Sequence, residues 1–180
     1  KVSWSLKSGG GALAAGSSQT DAAGIAEMTS TLGTIAGPQV VQASARGYTG
    51  SPVVFSSTGT AGPPTGLVKL NGDNQTTSRS QAVLIPPTVL VTDAYGNGVG
   101  GVTIAWAVQA GGGSVGAPSS VSGPSGAAAI AWTLGATPGT NLLDASLPGD
   151  TTVTFAALGV AAFSVDGGGN NVVDRYTSDL

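Results

Sequence analysis

Apolar side chains in this chain come in short runs separated by clusters of Gly, Pro, Asn and Asp, and no stretch carries the spacing of an amphipathic helix. After residue 62 the runs are rich in Val, Ile, Thr and Ala, the residues that suit a half-buried pleated surface. They predict strands over 66–70, 81–85, 88–92, 102–109, 119–122, 127–134, 141–146 and 151–157. Alternation points Trp106, Val108, Ile130, Trp132, Leu143 and Phe155 inward, into the gap between two antiparallel sheets about 10 Å apart. Asp93-Ala94-Tyr95-Gly96-Asn97-Gly98 holds residues that tolerate positive φ and reads as a turn. Pro86-Pro87 removes ladder donors, so that break belongs at a sheet edge or where the chain crosses between sheets.

The pattern repeats. Trp4 followed by Gly9-Gly10-Gly11 returns as Trp106 followed by Gly111-Gly112-Gly113, an offset of 102 residues. The register persists through Gly24 and Gly126, Leu32-Gly33 and Leu134-Gly135, Gly37 and Gly139, and Ala43-Ser44 and Ala145-Ser146; after a two-residue slip Phe55 matches Phe155. A spacing near 100 residues is too long for a solenoid and suits one small sandwich domain. The expected organisation is therefore a first domain over 1–62 that lacks counterparts of residues 65–102, a complete domain over 63–158, and a tail over 159–180. Pro63-Pro64 favours a short, semi-rigid linker between the domains.

Composition narrows the chemistry. The 180 residues include 30 Gly and 10 Pro, 41% are apolar and only 8% charged, so a core is affordable and disorder driven by charge is not expected. Without Cys or His, the common zinc sites, Ser-His-Asp triads, Cys-His dyads and thiol redox chemistry are excluded. A net charge of −3 and scattered cations (Lys1, Lys7, Arg46, Lys69, Arg79, Arg175) make no phosphate-binding stripe, so nucleic acid is not an expected partner. No apolar stretch approaches the 18 or so residues of a membrane span. The opening Lys1-Val2-Ser3-Trp4 has no signal-peptide character, which puts any export signal upstream or removed. Absence of cysteine fits a bacterial exported protein.

A further set of residues, read in order, resembles the bacterial Ig-like domain of the intimin and invasin type. They are Gly72-Asp73-Asn74-Gln75, Val91-Thr92-Asp93-Ala94-Tyr95-Gly96-Asn97, Gly101-Val102-Thr103-Ile104-Ala105-Trp106, Gly126-Ala127-Ala128, Leu134-Gly135, Pro138-Gly139-Thr140 and Val153-Thr154-Phe155. The resemblance spans nearly all of the second repeat and residues 2–57 of the first, with Thr20-Asp21-Ala22-Ala23-Gly24 at the turn written Gly123-Pro124-Ser125-Gly126 later. It implies an all-β fold of tandem immunoglobulin-like sandwiches, used as rigid spacers in extracellular or cell-surface proteins; it does not imply catalysis, and no cofactor is expected.

The glycine triplets lack the Gly-Lys-Ser/Thr and helix of a phosphate loop and read as turns. Asp73, Asn74, Asp93 and Asn97 offer oxygens to Ca²⁺ but not in the dense alternation of a dedicated loop; Asp166 to Asn171 with Asp174 is the other oxygen-rich stretch, and no metal is assigned to either. No two carboxylates are expected to face one another across a cleft, and Asp144, alternating with Leu143, is expected on the solvent face. Trp4, Trp106 and Trp132 are expected in the core, not on a sugar platform. Asn74-Gln75-Thr76 is a lone sequon and marks Asn74 as the candidate glycan acceptor, on a Ser/Thr-rich surface compatible with O-glycosylation.

A sandwich lacking its first strands exposes the edge and face they cover. Either upstream sequence completes it or another chain does. Phe163-Ser164-Val165-Asp166-Gly167 resembles Val68-Lys69-Leu70-Asn71-Gly72, and Asn171 to Tyr176 forms a second strand candidate. Phe163, Val165, Val172, Val173 and Tyr176 are thus the candidate inter-subunit strand residues for head-to-tail complementation, although the tail's 22 residues replace only part of the 38 missing ones. The expected function is a non-catalytic extracellular structural protein, a stalk segment or filament subunit that associates with neighbouring subunits or domains. The alternatives are an adhesin module recognising a host protein or glycan, favoured if Tyr48 and Tyr95 cluster on one face, and a non-catalytic appendage of a larger exported enzyme.

Overall fold

A computed structural model describes residues 1–149 and 151–161 and contains no helix among them. The N-terminal section holds β1 (Val2–Ser8), β2 (Ala12–Leu13), β3 (Ser17–Ser18), β4 (Ser30–Thr31), β5 (Gly37–Ser44) and β6 (Val53–Gly59). The C-terminal section begins with β7 (Gly66–Asn71), β8 (Gln75–Ser78), β9 (Thr88–Thr92), β10 (Thr103–Ala110) and β11 (Gly113–Val115). It continues with β12 (Ser119–Val121), β13 (Ala127–Ala129), β14 (Trp132–Leu134), β15 (Gly139–Ser146) and β16 (Thr152–Val160).

In the C-terminal section one sheet runs β12-β10-β15-β16-β8 and the other runs β13-β9-β7, with the β11-β14 ribbon beside them. Between the sheets lies a single core, in which Ile104, Trp106, Leu143 and Phe155 of the first sheet meet Leu67, Val89, Val91 and Ala128 of the second. Trp106 and Phe155 rings sit 6.0 Å apart and tilted, a favoured aromatic arrangement. This is the all-β sandwich expected from the alternation, and Trp106, Ile130, Trp132, Leu143 and Phe155 are buried as expected, with Val108 partly buried against the same core.

The strand boundaries depart from expectation at residues 81–85, 75–78, 113–115 and 127–134. Residues 81–85 form no strand beyond a bridge from Ala82 to Thr133. The strand of that region is β8, whose Gln-Thr-Thr-Ser lacks apolar alternation and pairs in parallel with β16. Residues 127–134 split into β13 and β14 because they take different partners, β9 and β11. Pro86-Pro87 sits where the chain passes from the β8 sheet to the β9 sheet; Pro87 is buried and its carbonyl accepts from Ile130 N at 3.1 Å.

The N-terminal section has one sheet, β3-β1-β5-β6, and a β2-β4 ribbon. Its registers copy those of the other section. Trp4 pairs with Ala43 as Trp106 pairs with Ala145, and the bulges after Leu6 and after Val108 fall at the same place. Trp4 Nε1 donates to Ser18 Oγ at 2.9 Å, and Trp106 Nε1 to Ser120 Oγ at 2.8 Å. Gln39 and Asn141, both buried, plug the same corner, accepting from Gly33 N at 2.8 Å and from Gly135 N at 2.9 Å. The sequence repeat is therefore a structural repeat over β1–β6 and β10–β16. Nothing among residues 1–62 corresponds to β7, β8 or β9.

Candidate functional site: the open sheet face and the joint

The face that β7 and β9 cover in the C-terminal section is bare in the N-terminal one. Phe155 is fully buried, while its counterpart Phe55 is 52% exposed; Leu134 is 1% exposed and Leu32 44%. Trp4, half-buried, keeps its ring 5.9 Å from Phe55. Beside them a groove of about 270 Å³ is lined by Val2, Trp4, Gly24, Ala26, Ala43 and Val53. Their counterparts Ile104, Trp106, Gly126, Ala128, Ala145 and Val153 lie under Val89 and Val91 or beside them in the core. The groove is thus the space that two valines of a neighbouring strand fill in the other repeat. Fully burying each valine is worth about 1.5–3 kcal/mol, a strong reason for the groove to be filled.

The β6 edge is bare in the same way. Its counterpart β16 receives β8 in parallel register from Ala157 opposite Gln75 to Val160 opposite Ser78. The approach is fixed by Asp73 and Asn74: Asp73 Oδ1 accepts Ala156 N at 2.9 Å, and Asn74 N, held at φ 55°, donates to Ala156 O at 2.8 Å. Lys69 pairs with Asp73 and rests over the Phe155 ring at 5.7 Å. Burial works to raise the Asp73 pKa, but the Lys69 ammonium and the Ala156 N–H outweigh it and hold the carboxyl below its ordinary value. Asp73 and Asn74 thus clip one strand to another. Ser56, the counterpart of Ala156, is exposed on an edge with no such clip.

Asp93 and Asn97 do more than turn the chain. Asp93 Oδ1 accepts from Tyr95 N at 2.8 Å and Asn97 N at 2.9 Å, and its Oδ2 accepts from Asn97 Nδ2 at 2.8 Å and from Gly62 N, in the linker, at 2.9 Å. Asn97 then reaches the other section: its Oδ1 accepts Ala36 N at 2.8 Å and its Nδ2 donates to Thr34 O at 2.8 Å. Donation by the Asn97 amide, then by Gly62 N, holds the Asp93 carboxyl far below the ordinary aspartate range against the burial that would raise it. At 6% exposure Asp93 is a buried anion satisfied entirely by hydrogen bonds. These residues form the turn that their sequence predicts, and their contact with residues 34–36 spans more than 60 positions, so no local pattern announces it.

The remaining candidates fall into place singly. Gly9–Gly11 and Gly111–Gly113 all hold positive φ where the chain bends from β1 to β2 and from β10 to β11, Gly113 being the first residue of β11. Asp144 lies on the outward face of β15 and its Oδ1 accepts from Thr154 Oγ1 at 2.6 Å. Asn74 is exposed, with Thr76 exposed in β8. Tyr48 and Tyr95 are 75% and 64% exposed, but Tyr48 follows the end of β5 and Tyr95 belongs to the turn that docks before its start. Eight residues of strand, about 26 Å, separate those ends, so the two tyrosines form no common cluster. Phe163, Val165, Val172, Val173, Tyr176 and the Asp166–Asn171 stretch lie outside the described residues.

No family model matches the sequence, and no curated protein does. Solved structures do match. FdeC, an Escherichia coli adhesin, aligns at 20% identity with a TM-score of 0.59 over 89% of this chain and 52% of its own, so the chain spans about half of that structure. The D00-D0 domain of intimin aligns at 18% identity with a TM-score of 0.45, covering 89% of this chain and 84% of its own. The Yersinia pseudotuberculosis adhesin InvE aligns at 15% identity with a TM-score of 0.45, covering 88% and 48%. The likeness to FdeC is one of fold.

Proposed function

We propose that the chain is a non-catalytic, extracellular or cell-surface structural protein. It is built from an incomplete Ig-like domain over 1–62, a complete one over 63–158 and a linking tail over 159–180, and serves as a stalk segment or filament subunit. The observation that carries this reading is the contrast between Phe55 and Phe155, equivalent side chains of which one is half exposed and the other fully buried. A sheet face of that kind, with a bare edge beside it, is a template for another strand. The fold shared with the adhesin FdeC supports a surface setting. The Asp93–Asn97 joint supports a spacer, because it holds linker and both sections with charge-assisted and amide hydrogen bonds.

In this reading the tail of one molecule completes the open domain of the next. A heterologous contact of that sort does not close and generates a linear fibre. The test is light scattering and negative-stain imaging of the full chain over a concentration series, beside a variant lacking residues 163–180. Fibres of the full chain that vanish with the tail are expected. Monomers of the full chain at every concentration would sink the assembly reading and leave a stalk segment.

A further inference from the structure

Resting on that assembly reading, we infer which strand fills the groove. The geometry points to Phe163-Ser164-Val165 of a second molecule, seated against Ile25-Ala26-Glu27 in the place that β9 takes against β13.

The acceptor is defined by the repeat. In the C-terminal section β13 pairs antiparallel with β9, Ala127 opposite Leu90 and Ala128 opposite Val89, and Val91 N donates to Gly126 O at 2.9 Å. At an offset of 102 these become Ile25, Ala26 and Gly24, which belong to no strand, and Gly24 and Ala26 line the groove. The turn that holds this stretch is already formed: Asp21 N donates to Ile25 O at 2.8 Å and Gly24 N to Asp21 O at 3.1 Å, as Gly123 N does to Ala127 O and Gly126 N to Gly123 O. Gly126 adds a direct mark of the missing strand. A Cβ on it would meet Val91 O at 2.5 Å, whereas a Cβ on Gly24 meets nothing within 4 Å. The place of the Val91 carbonyl is empty space.

The donor is defined by its pattern. β9 buries alternate side chains, Val89 and Val91, and runs into Asp93-x-x-Gly96-Asn97-x-Val99. The tail gives Phe163 and Val165 two apart, then Asp166-x-x-Gly169-Asn170-x-Val172. Every residue that the Asp93 turn uses has its counterpart: the carboxylate, the glycine at φ 83° and the amide. The tail has one residue fewer between its second apolar side chain and the aspartate, so with Phe163 and Val165 in the places of Val89 and Val91 the acidic turn begins one position earlier than after β9. This match carries the acidic turn as well as the strand, which the likeness to Val68–Gly72 does not.

The donor must come from another molecule. β16 ends at Val160 beside the Gly139 end of β15, while the groove lies at the Ala43–Val53 end of the other section, beyond the joint. Two strand lengths of about 26 Å separate them, and the residues between Val160 and Phe163 span about 10 Å.

Ser164 sits in the donor where Leu90 sits in β9, opposite the counterpart of Ala127. The chain has no cysteine, and Ile25 is 56% exposed, so the full chain with Ile25→Cys and Ser164→Cys keeps its fold and reads the register directly. The expected result is a disulfide-linked ladder extending beyond dimer without reductant, which collapses to the 17.2 kDa chain with reductant; neither single variant passes dimer. A synthetic peptide of residues 161–173 should shorten fibres of the unaltered chain at least tenfold, and its Phe163→Asp, Val165→Asp form should not. Fibres of the unaltered chain with neither ladder nor peptide effect would overturn this strand assignment while leaving assembly intact, giving the groove to a segment outside these 180 residues. Absence of fibres altogether overturns the assembly reading and this inference with it.

Discussion

Residues 2–59 and 103–160 are two printings of one pattern, and their difference lies in what covers them. Strand partners, the bulge, the indole-to-serine hydrogen bond and the amide plug coincide. Burial does not: Leu134 and Phe155 are closed off, while their counterparts Leu32 and Phe55 are about half exposed. The inner sheet face is thus specified locally and stabilised from elsewhere, since hydrophobic burial requires a second surface whatever the register of the first.

The largest break in that comparison is expected at the phenylalanines. Phe155→Ala removes a fully buried ring and should cost about 3–5 kcal/mol in denaturant unfolding, where Phe55→Ala in the monomer should cost about 1 kcal/mol or less. Equal costs would mean that Phe55 is covered in solution. If fibres form, the Phe55→Ala cost should rise toward that of Phe155→Ala in fibres, which turns the same pair of variants into a gauge of completion.

The paired glycines sharpen it further. Both hold positive φ, 80° at Gly24 and 85° at Gly126, so alanine costs about 1–2 kcal/mol at either. At Gly126 the methyl also strikes Val91 O, adding about 1–3 kcal/mol; at Gly24 it enters open space. Gly24→Ala should therefore leave the monomer nearly as stable as its conformational cost allows while obstructing the incoming strand. Thermal melts beside fibre yield separate the two effects, and a Gly24→Ala chain that assembles normally would count against a strand at that site.

Much of this was legible in the residues. The repeat of Trp4 and Trp106, the inward set of the second section and the Asp93 turn follow from spacing and from period-two alternation. β8 was missed because its polar residues are set by a parallel neighbour and a carboxylate clip, neither of which leaves an apolar pattern. The joint was missed because Asn97 answers to the backbone of Thr34 and Ala36, groups that every sequence carries and none advertises.

That joint carries the smaller predictions. Asn97→Ala deletes both hydrogen bonds to residues 34–36, each worth about 0.5–1.5 kcal/mol net, and also the amide that donates to the buried Asp93 carboxylate. Small-angle scattering of the monomer should then show a wider spread of overall lengths, together with an unfolding midpoint lowered by the lost Asp93 contact. An unaltered scattering profile would place the rigidity in Pro63-Pro64 instead.

Acid should reach the same joint from the other side. The folded Asp93 pKa is depressed, so the stability it contributes is present in full above the ordinary aspartate value near 4 and is lost as pH falls through that value toward the folded one. Between pH 5 and 8 the joint should be insensitive, because no histidine is present to titrate there. Below about pH 4 the carboxylate begins to lose its advantage, and protonation turns an acceptor of four hydrogen bonds into a group that fits its site poorly. The scattering profile should loosen toward that of Asn97→Ala as acid is added, and Asp93→Asn should shift the profile at neutral pH and remove the acid response. A profile that loosens at neutral pH in the unaltered chain would mean that the carboxylate is not what holds the two sections in line.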